Sequence, residues 1–300
     1  MNAPTPAPGG FDGSEVRAIL ARVSEAAGLD SSSPTLLRGH TNAVILLEDE
    51  GVVVKIARRG TPPAQVTRTV QAVRHLMKVG FPTVPLHPVE QPMLVGQHSV
   101  TIWKYYPQPD RVVPASELAL PLRALHTLDI PQLDLSGHDN IRAIRRSLAS
   151  ITALCANDID FLSERLDQLE TELSAVQFTL PQGLIQGDPQ HRNALHTPEG
   201  VVLCDWDTLA IGQPEWDLIT VEVHCRRFGY GQQHYQDFAD GYGLDITLEP
   251  AYKTLAAIRE LRMVTTNARK AHHAPGTIAE VERRVAGLRD NATDSRWHIL

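Results

Sequence analysis

The stretch Leu184 to Asp217, LIQGDPQHRNALHTPEGVVLCDWDTLAIGQPEWD, leaves this chain the fewest options. An apolar start runs into Gly187-Asp188, and Asn193 stands five residues after that Asp. A short turn separates it from a second apolar run, Val201-Val202-Leu203-Cys204, which stops at Asp205. The pattern predicts a loop carrying Asp188 and Asn193, then a strand that ends on a carboxylate. Phosphoryl transfer needs one carboxylate to orient an acceptor hydroxyl, and oxygen ligands from separate backbone segments to hold Mg²⁺ on the phosphates. Asp188 fits the first role. Asn193 and Asp205 fit the second. Taken alone, Asp205-Trp206-Asp207 would read as surface acids; the joint spacing is what carries the reading.

Upstream, Ser14 to Gly28 predicts an amphipathic helix with Val16, Ile19, Leu20 and Val23 on one face. Ser31 to Pro34 is a break. Two strands follow, Asn42 to Leu47 and Val52 to Ala57, joined by the acidic turn Glu48-Asp49-Glu50-Gly51. The preceding Arg38-Gly39-His40-Thr41-Asn42 is either a plain turn or a loop whose amides approach phosphates. Lys55 sits inside the β-branched run Val52-Val53-Val54-Lys55-Ile56. There it either faces solvent from an edge strand or meets an anion, since burying an unpaired ammonium is costly.

Pro62 to Gly80 predicts a second helix, Phe81 to Glu90 an extended Pro-rich segment, and Ser99 to Tyr106 (SVTIWKYY) a strand. The strand ends at Pro107-Gln108-Pro109-Asp110, where we place the lobe boundary. Helices are predicted over Ser116–Leu128, with Pro121 kinking it or marking its start, and over Ile141–Ala156 and Asp158–Val176. Further helices cover Trp216–Phe228, Gln233–Tyr242, Pro250–His273 and Ile278–Asp290. The expected division is a disordered tail at 1–13, an N-terminal nucleotide-binding lobe at 14–106, and a helical catalytic and substrate lobe at 107–300.

Composition narrows the setting. With 42% hydrophobic and 21% charged residues in 300, the chain reads as an ordinary soluble globular protein. No apolar run approaches the roughly 20 residues of a bilayer span, and the N-terminus lacks the basic and apolar regions of a secretory signal. Three scattered cysteines, Cys155, Cys204 and Cys225, argue for a reducing cytoplasm rather than a disulfide frame or zinc site. A net charge of −7 disfavours nucleic acid as a partner. Residues 1–110 carry 10 basic against 9 acidic side chains, and residues 111–300 carry 18 against 26. An acidic second half either attracts a cationic substrate or is simply a solvated face.

The order of these pieces resembles the aminoglycoside phosphotransferase family, the choline-kinase-like small-molecule kinases with a protein-kinase-like fold. The resemblance covers about residues 30 to 290. It rests on Gly187-Asp188, Asn193, Cys204-Asp205-Trp206-Asp207 and Gly212-Gln213-Pro214-Glu215-Trp216-Asp217-Leu218, with Lys55 far upstream. It implies an α+β fold of two lobes, a small β-rich N-lobe and a larger, mostly helical C-lobe. By resemblance Asp188 is the catalytic Asp, and Asn193 and Asp205 are the Mg²⁺ ligands. Lys55 is then the lysine on the ATP phosphates, and Trp103, Lys104 and Tyr105 form the adenine hinge. Asp217 braces the catalytic loop from a helix start, and Asp207 either supports the metal ligands or lies at the surface.

Three positions depart from the family pattern. Gln186 and Gln190 stand where His is usual. No Asp or Glu occurs from Gly51 to Val89, so the lysine's usual acidic partner is missing, and Gln71 is the residue near that spacing. Gln71 would orient the ammonium without neutralising it. The implied activity is ATP- and Mg²⁺-dependent transfer of a phosphoryl group to a hydroxyl of a small molecule: an aminoglycoside, an amino sugar or a related metabolite, with antibiotic resistance as one setting. The alternative is a non-catalytic, pseudokinase-like nucleotide-binding regulator. No membrane partner is expected, and the sequence does not give an oligomeric state. Glu222, His224, Arg226 and Glu260 are candidates to line the acceptor pocket, or surface and salt-bridged residues. His272-His273 reads as a surface pair.

Overall fold

The computed structural model describes residues 11–39, 42–271 and 274–300. The chain divides into two compact units. One comprises Met1–Val112, Pro131–Leu135 and Leu195–Asp207, and the other Val113–Ile130, Ser136–Ala194 and Thr208–Leu300. Relative to the boundary expected at Pro107, the first unit runs a few residues further. It also takes back the hairpin that carries Asp205.

The first unit is a five-stranded antiparallel sheet with two helices. Helix α1 (Gly13–Ala27) precedes β1 (Thr35–Arg38), β2 (Ala43–Leu47) and β3 (Val52–Ile56). Then come α2 (Pro63–Lys78), β4 (Met93–Val95) and β5 (His98–Lys104). The spatial order is β1-β2-β3-β5-β4. In β3 the buried positions Val52, Val54 and Ile56 alternate with half-buried Val53 and Lys55, the period-2 pattern of a strand with two unlike faces. The buried faces of β2, β3 and β5 form one core with Ile19, Leu20 and Val23 of α1.

Phe11 belongs to that core, at 2% exposure. Asp12 caps α1 by accepting the Ser14 amide at 2.9 Å, and Gly28 closes the helix in the left-handed region at φ 69°. The disordered tail expected over 1–13 therefore does not include residues 11–13; its remainder lies outside the described residues. β1 was not expected, because all four of its residues are exposed and leave no alternating pattern.

The hairpin of β7 (Ala194–Thr197) and β8 (Gly200–Leu203) joins this unit from Leu195 onward. Leu203 of β8 bonds to the Phe81–Glu90 segment: Val84 donates to its carbonyl at 3.1 Å, and its own amide donates to Pro82 at 3.1 Å.

The second unit is mostly helical. It contains α3 (Ala115–His126), α4 (Asn140–Leu148), α5 (Ala156–Ser174), α6 (Glu215–Arg227), α7 (Gln232–Tyr242), α8 (Tyr252–Lys270) and α9 (Ile278–Arg289). A two-stranded sheet pairs β6 (Gly183–Ile185) with β9 (Ala210–Gly212). α3 continues through Pro121, which is buried and does not mark its start. α4 ends at Leu148, well short of the expected Ala156. α6 is buried almost all round, so it is a core helix, and its polar residues must find partners inside. α8 packs against α4, α5, α6 and α9. No helix among the described residues is long and apolar enough to cross a membrane.

Candidate active site

Within the first unit, Lys55 lies mid-strand, in register with Val44 of β2 and Thr101 of β5. It is not an edge lysine. Its ammonium meets Asp205 Oδ1 and Asp207 Oδ2, each at 2.8 Å. Burial disfavours the charged form, but the two carboxylates outweigh it and hold the lysine pKa above its ordinary value. Asp205 follows β8 with φ 56°, a left-handed conformation that a non-glycine residue adopts only where its surroundings enforce it. Trp206, between the two acids, is 1% exposed. It donates Nε1–H to Thr83 Oγ1 at 2.8 Å and meets Phe81 edge-on. That anchor turns both flanking carboxylates toward Lys55. Asn42 adds a bond from Nδ2 to Asp207 at 3.3 Å and accepts the Arg58 amide at 3.2 Å. Of the preceding loop, His40 and Thr41 lie outside the described residues.

Gln71 does not take the role assigned to it. It is exposed on α2, while the helix buries Thr69, Val70, Ala72, Val73 and Leu76. The acid that the sequence seemed to lack comes from far downstream instead, as Asp205 and Asp207. Trp103 is half-buried at the end of β5 and donates its indole N–H to Thr101 Oγ1 at 2.8 Å. The amides of Lys104 and Tyr105 already donate to Pro85 at 2.9 Å and to Gly51 at 2.8 Å. The Lys104 ammonium sits over the Tyr106 ring at 4.8 Å.

Within the second unit, β6 delivers the chain to a tight loop. Gly187 has φ 83°, and a Cβ there would lie 2.5 Å from the Thr208 carbonyl oxygen, so both conformation and space demand glycine. Asp217, fully buried in the first turn of α6, accepts the amides of Gln186 at 2.7 Å and Gly187 at 2.8 Å. His126 of α3 meets the same carboxylate at 3.0 Å and reaches the Tyr242 hydroxyl of α7 at 2.8 Å. Gln186 is also fully buried; its side-chain oxygen accepts the Asp188 amide at 2.7 Å. This bond needs an acceptor rather than a titrating group, which explains how Gln serves there.

Asp188 Oδ1 pairs with Arg259 of α8 at 2.5 Å, and Oδ2 accepts from Gln190 at 3.0 Å. Burial pushes the Asp188 pKa up, but the Arg259 charge and these hydrogen bonds overcome that and leave it below the ordinary carboxylate value. Asn193 donates Nδ2–H to the Asp188 carbonyl at 2.8 Å. That bond fixes the amide with Oδ1 as its remaining end, a hard oxygen of the kind Mg²⁺ takes. His224 lies against Arg259, 3.4 Å from Nη2, and its pKa is pulled down to about 3 by burial first and then by that guanidinium.

Of the other acceptor-pocket candidates, Glu222 pairs with Arg226 at 2.8 Å, and Glu260 with Arg226 at 2.9 Å and Arg227 at 2.7 Å. These are internal pairs. His272 and His273 lie outside the described residues. Sequence reasoning missed Arg259, and it missed the direct role of Asp207. Arg259 and Arg262 stand three apart on a predicted helix, a signal of one basic face, but nothing in the sequence aims that face at Asp188.

The chain matches the phosphotransferase enzyme family over residues 34–261. Among solved structures, it is similar to the amicoumacin kinase hAmiN in complex with AMP-PNP, Ca²⁺ and Ami. That match has a TM-score of 0.71 and 13% identity, and covers 96% of this chain and 98% of that one. The choline kinase LicA from Streptococcus pneumoniae matches with a TM-score of 0.64 and 13% identity, over 91% of this chain and 99% of that one. The GDP and kanamycin complex of APH(2")-IIia matches with a TM-score of 0.66 and 16% identity, over 91% and 99%. At these identities the likeness is one of fold. No curated protein matches the sequence.

Proposed function

The chain belongs to the phosphotransferase enzyme family, with its kinase-like α+β fold, and from that premise we propose that it moves the γ-phosphoryl group of ATP to a hydroxyl of a small molecule. The observation that carries this is the loop around Asp188. A buried carboxylate, Asp217, and an obligatory glycine fix its backbone, and the Asp188 carboxylate is kept ionised.

The roles are these. Asp188 orients the acceptor hydroxyl and takes its proton. The hydroxyl oxygen bonds to the γ-phosphorus as the bond to the bridging oxygen breaks, and ADP departs with that electron pair. Lys55 is assigned to the nucleotide phosphates, and the Trp103–Tyr105 segment to the base. Because the Lys104 and Tyr105 amides are bonded within the chain, backbone carbonyls are the groups we assign to base recognition there. Asp205 and Asn193 are the Mg²⁺ ligands in this reading; what supports it is a carboxylate held in an unusual conformation and an amide locked with its oxygen remaining. The ion would supply charge neutralisation at the phosphates. Asp207 shares the Lys55 ammonium, and Asp217 and Gln186 position the loop. A cytoplasmic setting belongs to the same reading, supported by ATP as donor and by three cysteines that form no disulfide among the described residues.

The test is ATP hydrolysis without acceptor. Slow, Mg²⁺-dependent ADP release is expected from the native protein. It should be lost in Asp188→Ala while ATP still binds. Native turnover in that variant would sink the assignment. A non-catalytic nucleotide-binding regulator is the second reading, favoured by the Arg259 contact that occupies Asp188; it predicts ATP binding with no hydrolysis at all.

A further inference from the structure

The charges around Asp188 run against those of the chain as a whole. Arg259 and Arg262 lie three apart on α8 and so share a face. α4 packs along α8 and carries Arg146. Burial, and then the like charges of Arg259, Arg269 and Arg146, pull the Arg262 pKa down to about 10, and Asp188 is the acid in its field. Among the described residues neither Arg146 nor Arg262 has a carboxylate partner.

Four acids of this unit are in the opposite state. Glu222 and Glu260 are taken by Arg226 and Arg227. Glu280 is taken by Arg283 and Arg284, each at 2.8 Å. Asp217 is filled by two amides and His126. These carboxylates are committed within the chain, while Arg146 and Arg262 have no carboxylate partner among the described residues and Arg259 is shared with Asp188 alone. Two buried nitrogens in the same neighbourhood also have no partner: Nε of Arg259, a residue 9% exposed, and Nε2 of His138. His138 lies in the field of Asp217, Arg262 and Arg259. The buried N–H of Arg259 Nε, left without an acceptor, is costly unless a ligand completes it.

We propose that the acceptor is a small oxyanion bearing a hydroxyl, a hydroxycarboxylate or a phosphate monoester, whose acidic group is held by Arg259, Arg262 and Arg146 while its hydroxyl meets Asp188. This rests on the phosphotransfer reading and narrows it to a substrate class. The planar guanidinium forks match both carboxylate and phosphate geometry. An incoming anion would also draw Arg259 partly off Asp188, leaving that carboxylate to the hydroxyl.

The experiment measures ADP release from the full chain with Mg-ATP at constant ionic strength. One arm offers glycerate and related hydroxycarboxylates, a second glycerol 3-phosphate and sugar phosphates, and a third kanamycin, ethanolamine and choline. We expect kcat/KM for the best anion to exceed that for any cation by tenfold or more; whichever of the first two arms holds it identifies the acidic group. Arg262→Gln is expected to raise KM for that acceptor at least tenfold while kcat falls less than threefold, and Arg262→Lys to restore part of the loss. Preference for the cationic arm overturns the proposal. So does acceptor-free hydrolysis that no anion accelerates, or an unchanged KM in Arg262→Gln. Absence of any Mg²⁺-dependent ATP hydrolysis in the native protein is a different result; it removes the phosphotransfer reading itself.

Discussion

Asp217 shows how much one buried carboxylate can organise. Its oxygens take two loop amides and a histidine, with no exposure to water. Asp217→Asn would set an NH₂ against an amide N–H and leave a buried donor unpaired, at about 1–3 kcal/mol. We expect a lower urea midpoint and a more than tenfold loss of ADP release, with ATP affinity within a few-fold of native. Gly187→Ala should behave similarly for a different reason: the left-handed backbone costs about 1–2 kcal/mol, and its methyl would collide with the Thr208 carbonyl. The thiols give an independent check on burial. Burial raises the Cys204 and Cys225 pKa values to about 12, with Asp205 and Glu222 adding to it, while Cys155 is exposed. At pH 8 one thiol per chain should react quickly with a disulfide reagent, and peptide mapping should place it at Cys155.

Among the elements, α1 carries the most direct prediction. Phe11→Ala removes a ring that is 2% exposed and should cost about 3 kcal/mol, and Asp12→Ala about 1 kcal/mol through the lost cap. Chemical denaturation followed by circular dichroism measures both. The long amphipathic helices and the strands with alternating burial were legible because each carries its own period. β1 was not, since an exposed edge strand has no apolar face to announce it. Phe11 was missed because a lone aromatic beside Pro and Gly has no periodicity; its burial depends on core strands distant in sequence. The site divides along the same line. Asp188, Asn193, Asp205 and Asp217 could be read from local spacing. The pairing of Lys55 with Asp205 and Asp207 spans about 150 residues, and Gln71 was named only because the search stayed local.

For the whole molecule, His138 and His224 contribute to the acid side of its stability. Burial takes His138 to about 4 and His224 to about 3 from an ordinary 6.5. His138 faces Asp217, Arg262, Arg259 and Asp139; His224 faces Arg259, Asp188, His191 and Arg284. The unfolded chain binds more protons than the folded one between those values and 6.5. Stability therefore rises with pH through this window and is lost as pH falls from 6.5 toward 4. Between pH 7 and pH 5 the unfolding free energy should drop by about 2 kcal/mol or more; denaturant titrations at the two pH values measure it. The net charge of −7 misleads at this scale, because Glu222, Glu260 and Glu280 are paired with arginines inside the helical unit and the charge paired with Asp188 is positive. Asp217 has a last consequence, for anyone wishing to exchange parts between relatives. The Asp188 loop does not hold its shape by its internal bonds alone; the first turn of α6 takes two of its amides, and His126 of α3 holds that carboxylate. A transplanted loop of correct sequence would arrive unsupported in a host lacking those two helices' side chains, so the smallest exchangeable piece is discontinuous in sequence.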